Sequence, residues 1–237
     1  MKKINTKNFV HHQNFKLSNN IREIIFGAED GMVSTLGAIT GIAAGTANSK
    51  IVLLSGLVII AVESISMGIG SYLSNKSVID LSKRKLYEEK FEINNFPKTE
   101  KKELLNIYLK NTWPLKTAKL MVASASRNKK LMLQEMAYRE LSLPAKIQDN
   151  SLTGGLFMFA FYIIGGAIPL LGYIFLAIPQ AIYFSISITL LSLFILGVLT
   201  TKFTKLTWWK AGLQMFILAS IAALVGFIVG KIANNLF

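Results

Sequence analysis

The sequence predicts an all-α, polytopic membrane protein with five transmembrane helices and a cytoplasmic three-helix metal-binding insert between the second and the third. Of its 237 residues, 52% are hydrophobic and only 16% are charged, whereas a soluble domain usually carries about 25% charged residues. Long stretches contain no charge at all, namely 31–49, 150–201 and 211–230. A soluble helical core is disfavoured, because nothing polar would cover helices that are apolar on every face.

The apolar stretches set the number of spans. A helix of about 20 apolar residues crosses the core of a bilayer. The stretch 150–201 is long enough for two spans, and Pro169, Gly172 and Pro179 mark a turn within it. Residues 51–75 add a span that only Glu63 interrupts. The predicted spans are 24–46, 51–74, 152–174, 178–200 and 211–232.

The positions of lysine and arginine predict the orientation in the membrane. Of 26 such residues, five precede residue 23, sixteen lie in 76–146 and three lie in 202–210. Cytoplasmic loops carry an excess of positive charge, so we expect a cytoplasmic N-terminus and a C-terminus on the other side. The same rule explains the net charge of +13 without nucleic-acid binding. The polar, basic start of the chain also leads us to expect no cleavable signal peptide.

These features divide the chain into four regions. The regions are a cytoplasmic tail (1–23), transmembrane helices one and two (24–74), a cytoplasmic helical metal-binding domain (75–150) and transmembrane helices three to five (151–237). The cytoplasmic domain holds nine of the 13 acidic residues. Its predicted helices are 75–93, which continues the second span, 97–111 and 114–143, the last with a bend near Arg127–Asn128. A region of about 75 residues is small for a core of its own, so we expect it to pack against a second copy or the membrane helices.

Glycines at four-residue spacing line one face of two predicted spans. Gly37, Gly41 and Gly45 share a face of the first, and Gly226 and Gly230 share a face of the fifth. Small residues at this spacing let helix backbones approach closely in lipid. We interpret both stripes as packing signals.

Acidic residues inside predicted spans are candidates for function, because a charge in the membrane is costly. They are Glu29, Asp30 and Glu63. Glu63 and Met67 are four residues apart and share a helix face, which Asp30 could meet from the first span. Two carboxylates and a thioether suit a cation of intermediate softness. The alternatives are that Glu29 and Asp30 are helix-start acids at the headgroups, and that Glu63 is a neutral carboxyl in an interhelical hydrogen bond.

A second set of candidate ligands lies in the cytoplasmic domain. Its pairs, each on one helix face, are Glu89 with Glu92, Glu100 with Glu103, and Met136 with Glu140. A hairpin would bring the glutamate pairs together, and carboxylates gathered in one place need cations. Oxygen ligands favour hard or intermediate divalent ions, and a methionine sulfur favours iron(II) over calcium or magnesium. The alternative is ordinary solvated charge paired with lysines.

Several classes of function are disfavoured by what the sequence lacks. It has no cysteine, which excludes disulfides and thiolate metal sites. It has no P-loop, which argues against ATP as the energy source, and no nucleophile–base pair or cofactor motif. We therefore expect a protein that is not an enzyme and holds no resident cofactor. His11 and His12 lie in the polar tail and are interpreted as incidental.

Three motifs in order resemble the vacuolar iron transporter family. They are REIIFGAEDGMVSTLG at 22–37, SMGIGSYLSNKS at 66–77 and GGAIPLL at 165–171. The first is similar to the family's first-helix signature around an Asp-Gly pair, and the second to its Ser-Met and Gly-x-Tyr-x-Ser motif. The likeness extends from about residue 20 to the C-terminus.

The resemblance implies proton-coupled export of iron(II) or manganese(II) by a homodimer. It implies that Asp30 and Met67 line the translocation path, and that metal binds in the cytoplasmic domain. The residues implied as metal ligands there are Glu89, Glu92, Glu100, Glu103, Met136 and Glu140. The resemblance leaves open whether the membrane is a plasma membrane or that of a vacuole or other acidic store.

The sequence departs from the family pattern in the second helix and in the insert. Ser71 stands where many members have glutamate, while Glu63 stands where many have a small residue. Ala137 stands where some members have a second methionine, and 111–114 replaces a stretch that often has glycine. Three alternatives stay open: a manganese(II)-selective exporter, a membrane-anchored metal-binding protein without transport, and an exporter of organic cations.

Overall fold

In the computed structural model, residues 20–144, 147–204 and 207–236 are described, and every regular element among them is a helix. The tail residues His11 and His12 lie outside the described residues. The helices are α1 (Ile21–Thr46), α2 (Ser49–Asn95), α3 (Pro97–Lys110), α4 (Leu115–Ala125), α5 (Lys129–Arg139), α6 (Ser151–Phe175), α7 (Gln180–Thr204) and α8 (Trp208–Leu236).

The chain forms two compact units. The first comprises α1, the start of α2 as far as Tyr72, and α6 to α8 from Leu152 onward. The second comprises Leu73–Ser151, with the rest of α2 and helices α3 to α5. Helix α2 runs without a break for 47 residues, so the expected continuation of the second span as a longer helix is confirmed.

Within the described residues, four helices are long and apolar enough to cross a membrane, namely α2, α6, α7 and α8. Helix α1 has 26 residues but carries acidic residues and many glycines and threonines, which lower its mean hydropathy. The first of the five predicted spans therefore stays a prediction. Pro169 lies inside α6, and α6 and α7 are connected by 176–179, close to the connection predicted between 174 and 178.

Helix α1 packs closely against α8 through glycines. A Cβ atom added at Gly41 would lie 2.7 Å from the carbonyl oxygen of Gly226, and one added at Gly226 would overlap the carbonyl oxygen of Gly37. A Cβ at Gly230 would likewise overlap the carbonyl oxygen of Gly41. The two glycine stripes thus face each other, and their interpretation as packing signals is confirmed.

A different face of α1 packs against α6. A Cβ atom at Gly31 would overlap the carbonyl oxygen of Tyr162, and one at Gly165 would overlap that of Ala28. Leu36 and Ile39 of α1 are fully buried. Because α1 has close backbone contacts on two sides, many of its side chains are buried inside the first unit.

The second unit is built around one apolar core. Its fully or almost fully buried side chains include Leu104, Tyr108, Met132 and Met136. The insert was predicted to contain a single third helix, but the structure has two helices there, α4 and α5. The prediction of three helices was therefore wrong. The reason is Asn128, whose side chain accepts hydrogen bonds from the backbone amides of Lys130 and Leu131. Such an N-cap starts a new helix.

Candidate cation sites

A short turn between α2 and α3 brings the predicted glutamate pairs together. The Phe96 amide donates to the carbonyl oxygen of Glu92 at 2.7 Å, and the Glu100 amide donates to that of Phe96 at 3.1 Å. Pro97 then starts α3 at a position where its missing amide hydrogen costs nothing. Glu89 and Glu100 are buried, at 3% and 4% exposure. Glu92, Glu103 and Glu140 are exposed.

The five glutamates form one electrostatic cluster, called here the glutamate cluster (Glu89, Glu92, Glu100, Glu103 and Glu140). Burial, followed by the charges of Glu140 and Glu100, raises the pKa of Glu89 to about 8. Burial also raises the pKa of Glu100 and of Glu140, with Glu103 the next cause that raises each. Charges that shift one another's pKa lie close together, so the helix faces predicted from spacing do converge.

Two oxygens of this cluster, Oε1 of Glu89 and Oε2 of Glu100, are buried and have no hydrogen-bond partner among the residues that the structure describes. A buried oxygen without a partner is costly unless something else satisfies it. Within the described part of the chain, no three His, Asp or Glu side chains stand close enough to hold a metal ion in this conformation. The exposed Glu92, Glu103 and Glu140 would therefore have to rotate inward to complete a coordination shell. Met136 is fully buried in the apolar core of the same unit.

A clamp that sequence reasoning missed fixes α5 against α3. The Tyr108 hydroxyl donates to Oε2 of Glu135 at 2.8 Å, and the Arg139 Nε donates to the same oxygen at 2.7 Å. The Arg139 guanidinium lies 4.7 Å from the centre of the Tyr108 ring. The Arg139 guanidinium and the Tyr108 hydroxyl lower the pKa of Glu135, although burial opposes them. Since Met136 and Glu140 are the neighbours of Glu135 and Arg139, the clamp fixes their position too.

The first unit holds a separate set of acids on α1 and α2. Asp30 lies within electrostatic range of Glu63 from the neighbouring helix, and of Glu29 next to it. All of these side chains are half-buried, as is Met67, which follows Glu63 by one helical turn and shares its face. The structure thus brings Asp30 and Glu63 together, as predicted from the sequence.

Two hydroxyl groups that sequence reasoning missed complete this second set. Tyr162 of α6 is fully buried, and its hydroxyl donates a hydrogen bond to Oε2 of Glu63. The hydroxyls of Tyr162 and Ser34 are 2.5 Å apart. A tyrosine in an uncharged stretch was the available signal, because a buried tyrosine hydroxyl usually finds a partner. Three helices therefore meet at one polar site, called here the membrane acid site (Asp30, Ser34, Glu63 and Tyr162).

A groove of about 1000 Å³ runs along α1 and α8. Small residues line most of it, among them Gly37, Gly41, Gly226 and Gly230, and Ser34 lies on its wall. The groove therefore reaches a residue of the membrane acid site.

Comparisons with known proteins show the family of this chain. Residues 21–231 match the VIT family. A vacuolar iron transporter of Centaurea cyanus is 33% identical over 230 residues, which cover 93% of this chain and 90% of that protein. One of Plasmodium berghei (strain Anka) is 31% identical, with 97% of this chain and 87% of that protein covered. Vacuolar iron transporter 1 of Arabidopsis thaliana is 30% identical, with coverage of 95% and 91%. The chain therefore belongs to the VIT family.

Proposed function

We propose that this protein exports iron(II) from the cytosol across a membrane in exchange for protons. The observation that carries the proposal is the presence of two separate sets of carboxylates, one in the helical unit 73–151 and one between apolar helices. The relatives named vacuolar iron transporter support iron as the cargo. Family membership favours a transporter over an enzyme.

The glutamate cluster is proposed to capture the metal from the cytosol. Its buried Glu89 and Glu100 each offer an oxygen that has no partner in the described part of the chain, and exposed Glu92, Glu103 and Glu140 can move to meet an incoming ion. Carboxylates with the sulfur of Met136 suit a divalent ion of intermediate softness. Replacing Glu89, Glu92, Glu100 and Glu103 by alanine should weaken metal binding while the protein still inserts into the membrane.

Asp30, Glu63 and Met67 are proposed to form the path through the membrane. Acids in a membrane are retained where an ion or a proton needs them, and the closeness of Asp30 to Glu63 supports a shared cation site. Protons that enter from the far side would neutralise these carboxylates and displace the metal. Asp30→Ala should abolish transport, and near-normal flux in that variant would refute the path.

The topology that we propose has five spans, with α1 as the first, a cytoplasmic N-terminus and unit 73–151 in the cytosol. The concentration of Lys and Arg in 76–146 supports this orientation. We also propose a homodimer. The groove along α1 and α8 supports it, because its small residues would let helices of a second copy approach closely.

Manganese(II) is the second candidate cargo. The cluster consists mainly of carboxylates, and carboxylate oxygens suit manganese as well as iron. A membrane-anchored metal-binding protein that does not transport is the remaining alternative, and it predicts binding without flux.

The test is iron(II) uptake into proteoliposomes with an imposed pH gradient, with internal pH followed in parallel and manganese(II) tried as well. Metal uptake with proton movement in the opposite direction is the expected result. Metal bound to the protein without flux of either ion, in both orientations, would favour the anchored metal-binding protein. If iron(II) and manganese(II) inhibit each other's uptake equally, both metals are transported.

A further inference from the structure

We infer that Tyr162 is a positioning residue that holds the Glu63 carboxylate for a divalent cation at the membrane acid site, with Ser34 as its second partner. The inference rests on the proposed function and assigns roles to two residues outside the predicted path. Tyr162 lies 99 residues from Glu63 in the sequence, on another helix.

The first step of the argument is the rigidity of Tyr162. Its side chain is fully buried, and its backbone carbonyl is in close contact with Gly31. The Ser34 hydroxyl bonds to the phenol from α1 at 2.5 Å. Because both its backbone and its hydroxyl group are held in place, Tyr162 can fix the orientation of the more flexible Glu63 side chain.

The second step concerns Glu63. It is half-buried, and a glutamate has several rotatable bonds whose freedom must be given up to bind an ion. The bond from Tyr162 occupies Oε2, which leaves Oε1 to face a cation. Because a hydrogen bond to a charged group is stronger than one between neutral groups, it selects one orientation of the carboxylate.

The third step is the surroundings of this carboxylate. Asp30 lies near Glu63, and Glu29 lies near Asp30. A carboxylate held at a fixed place beside a second one can share a divalent cation with it, whereas a mobile one would turn away from the like charge. The hydrogen bonds from Ser34 to Tyr162 and from Tyr162 to Glu63 therefore keep the Glu63 carboxylate beside Asp30 before the cation arrives.

The test compares Tyr162→Phe with Tyr173→Phe in the full-length protein. Tyr173 is a matched control, because it lies on the same helix, is buried, and its hydroxyl has no hydrogen-bond partner within 20–144, 147–204 and 207–236. Both variants keep the ring and its packing. Tyr162→Phe should raise the KM for iron(II) about tenfold, as loss of one such bond implies, with the maximal rate changed less. Tyr173→Phe should leave both values unchanged.

A double-mutant cycle with Glu63→Gln separates positioning from general loss of structure. If Tyr162 acts through Glu63, adding Tyr162→Phe to Glu63→Gln should change the KM less than twofold, since contacting residues with one role are not additive. The same tenfold rise in both backgrounds, or an unchanged KM in Tyr162→Phe alone, would overturn the inference. Ser34→Ala should give a smaller rise in the same direction.

A measurement of equilibrium metal binding tests the role of Tyr162 separately from the proposed transport, because binding does not require flux. Manganese(II) binding is measured by electron paramagnetic resonance on protein whose Glu89, Glu92, Glu100 and Glu103 are replaced by alanine. If the wild type gives no flux, the transport proposal falls, but about tenfold weaker binding in Tyr162→Phe would still support the inference. Equal binding with and without the Tyr162 hydroxyl would refute it, as would a complete lack of binding to this background.

Discussion

Glu89 and Glu100 face each other across the turn between α2 and α3, close enough for a hydrogen bond between their carboxyl groups, and both side chains are buried. Two carboxyl groups can share such a bond only when one of them carries a proton. The raised pKa of Glu89, about 8, agrees with a proton held at neutral pH. A metal ion that binds these oxygens must therefore displace a proton.

Metal binding to the glutamate cluster should strengthen as the pH rises from 6 to 8. Below a pKa of about 8, Glu89 is mostly protonated in the metal-free protein, and metal ligands must lose their protons. Release of one proton increases the apparent affinity by at most about tenfold per pH unit. Calorimetry of manganese(II) binding in buffers of different ionisation enthalpy measures the protons released.

Glu88→Gln is the control for this experiment, because Glu88 is exposed and pairs with Arg84. It should keep the pH dependence, whereas Glu89→Gln should lose most of the proton release. An affinity that does not change between pH 6 and 8 would contradict the assignment.

The metal-free protein should become less stable over the same pH range. A glutamate whose folded-state pKa is raised binds more protons folded than unfolded, so its contribution to stability is present below the unfolded pKa and is lost as pH rises through the folded value. For Glu89 the loss runs from about pH 4.5 to about pH 8. Glu89→Gln should therefore raise the melting temperature of the metal-free protein at pH 8 by a few degrees, and leave it nearly unchanged at pH 5. A lower melting temperature at pH 8 in this variant would refute the explanation.

The clamp between α3 and α5 should matter for stability and for metal binding. Tyr108→Phe removes a hydrogen bond to the ionised Glu135, a loss of about 1.5–3 kcal/mol. Hydrogen exchange should speed up at the amides of α5, and manganese(II) should bind more weakly because Met136 and Glu140 lose their fixed position. Tyr138→Phe, on the exposed face of the same helix, is the control. Equal exchange rates in the two variants would mean that the clamp does not hold α5.

Local pattern was enough to predict much of this fold and part of both candidate sites. Uncharged stretches predicted the apolar helices, glycine spacing predicted close packing at one face of α1 and one face of α8, and three-residue spacing placed the glutamates of each pair on one face. These features depend on neighbours in sequence. The prediction of a single third helix in the insert was wrong because one side-chain cap, at Asn128, decides between a bend and a break.

The features that escaped prediction depend on tertiary contacts. Nothing in the spacing of Glu89 and Glu92 says that the first is buried and the second exposed. The bond from Tyr162 to Glu63 joins residues 99 positions apart, and only the packing of α6 on α1 and α2 brings them together. The sequence pattern identifies such polar residues as candidates, but only the packed structure shows which residues they contact.

The close contact of α1 with α8 predicts opposite effects for two glycine substitutions. Gly226→Ala places a Cβ against the carbonyl oxygen of Gly37, and overpacking of this kind costs about 1–3 kcal/mol. No atom of the described residues lies within 4 Å of a Cβ added at Gly70 of α2. Gly70→Ala should therefore be neutral or stabilising, because alanine favours a helix by about 1 kcal/mol over glycine. Thermal unfolding in detergent compares the two variants. If Gly226→Ala melts no lower than Gly70→Ala, helices α1 and α8 are not in contact through these glycines.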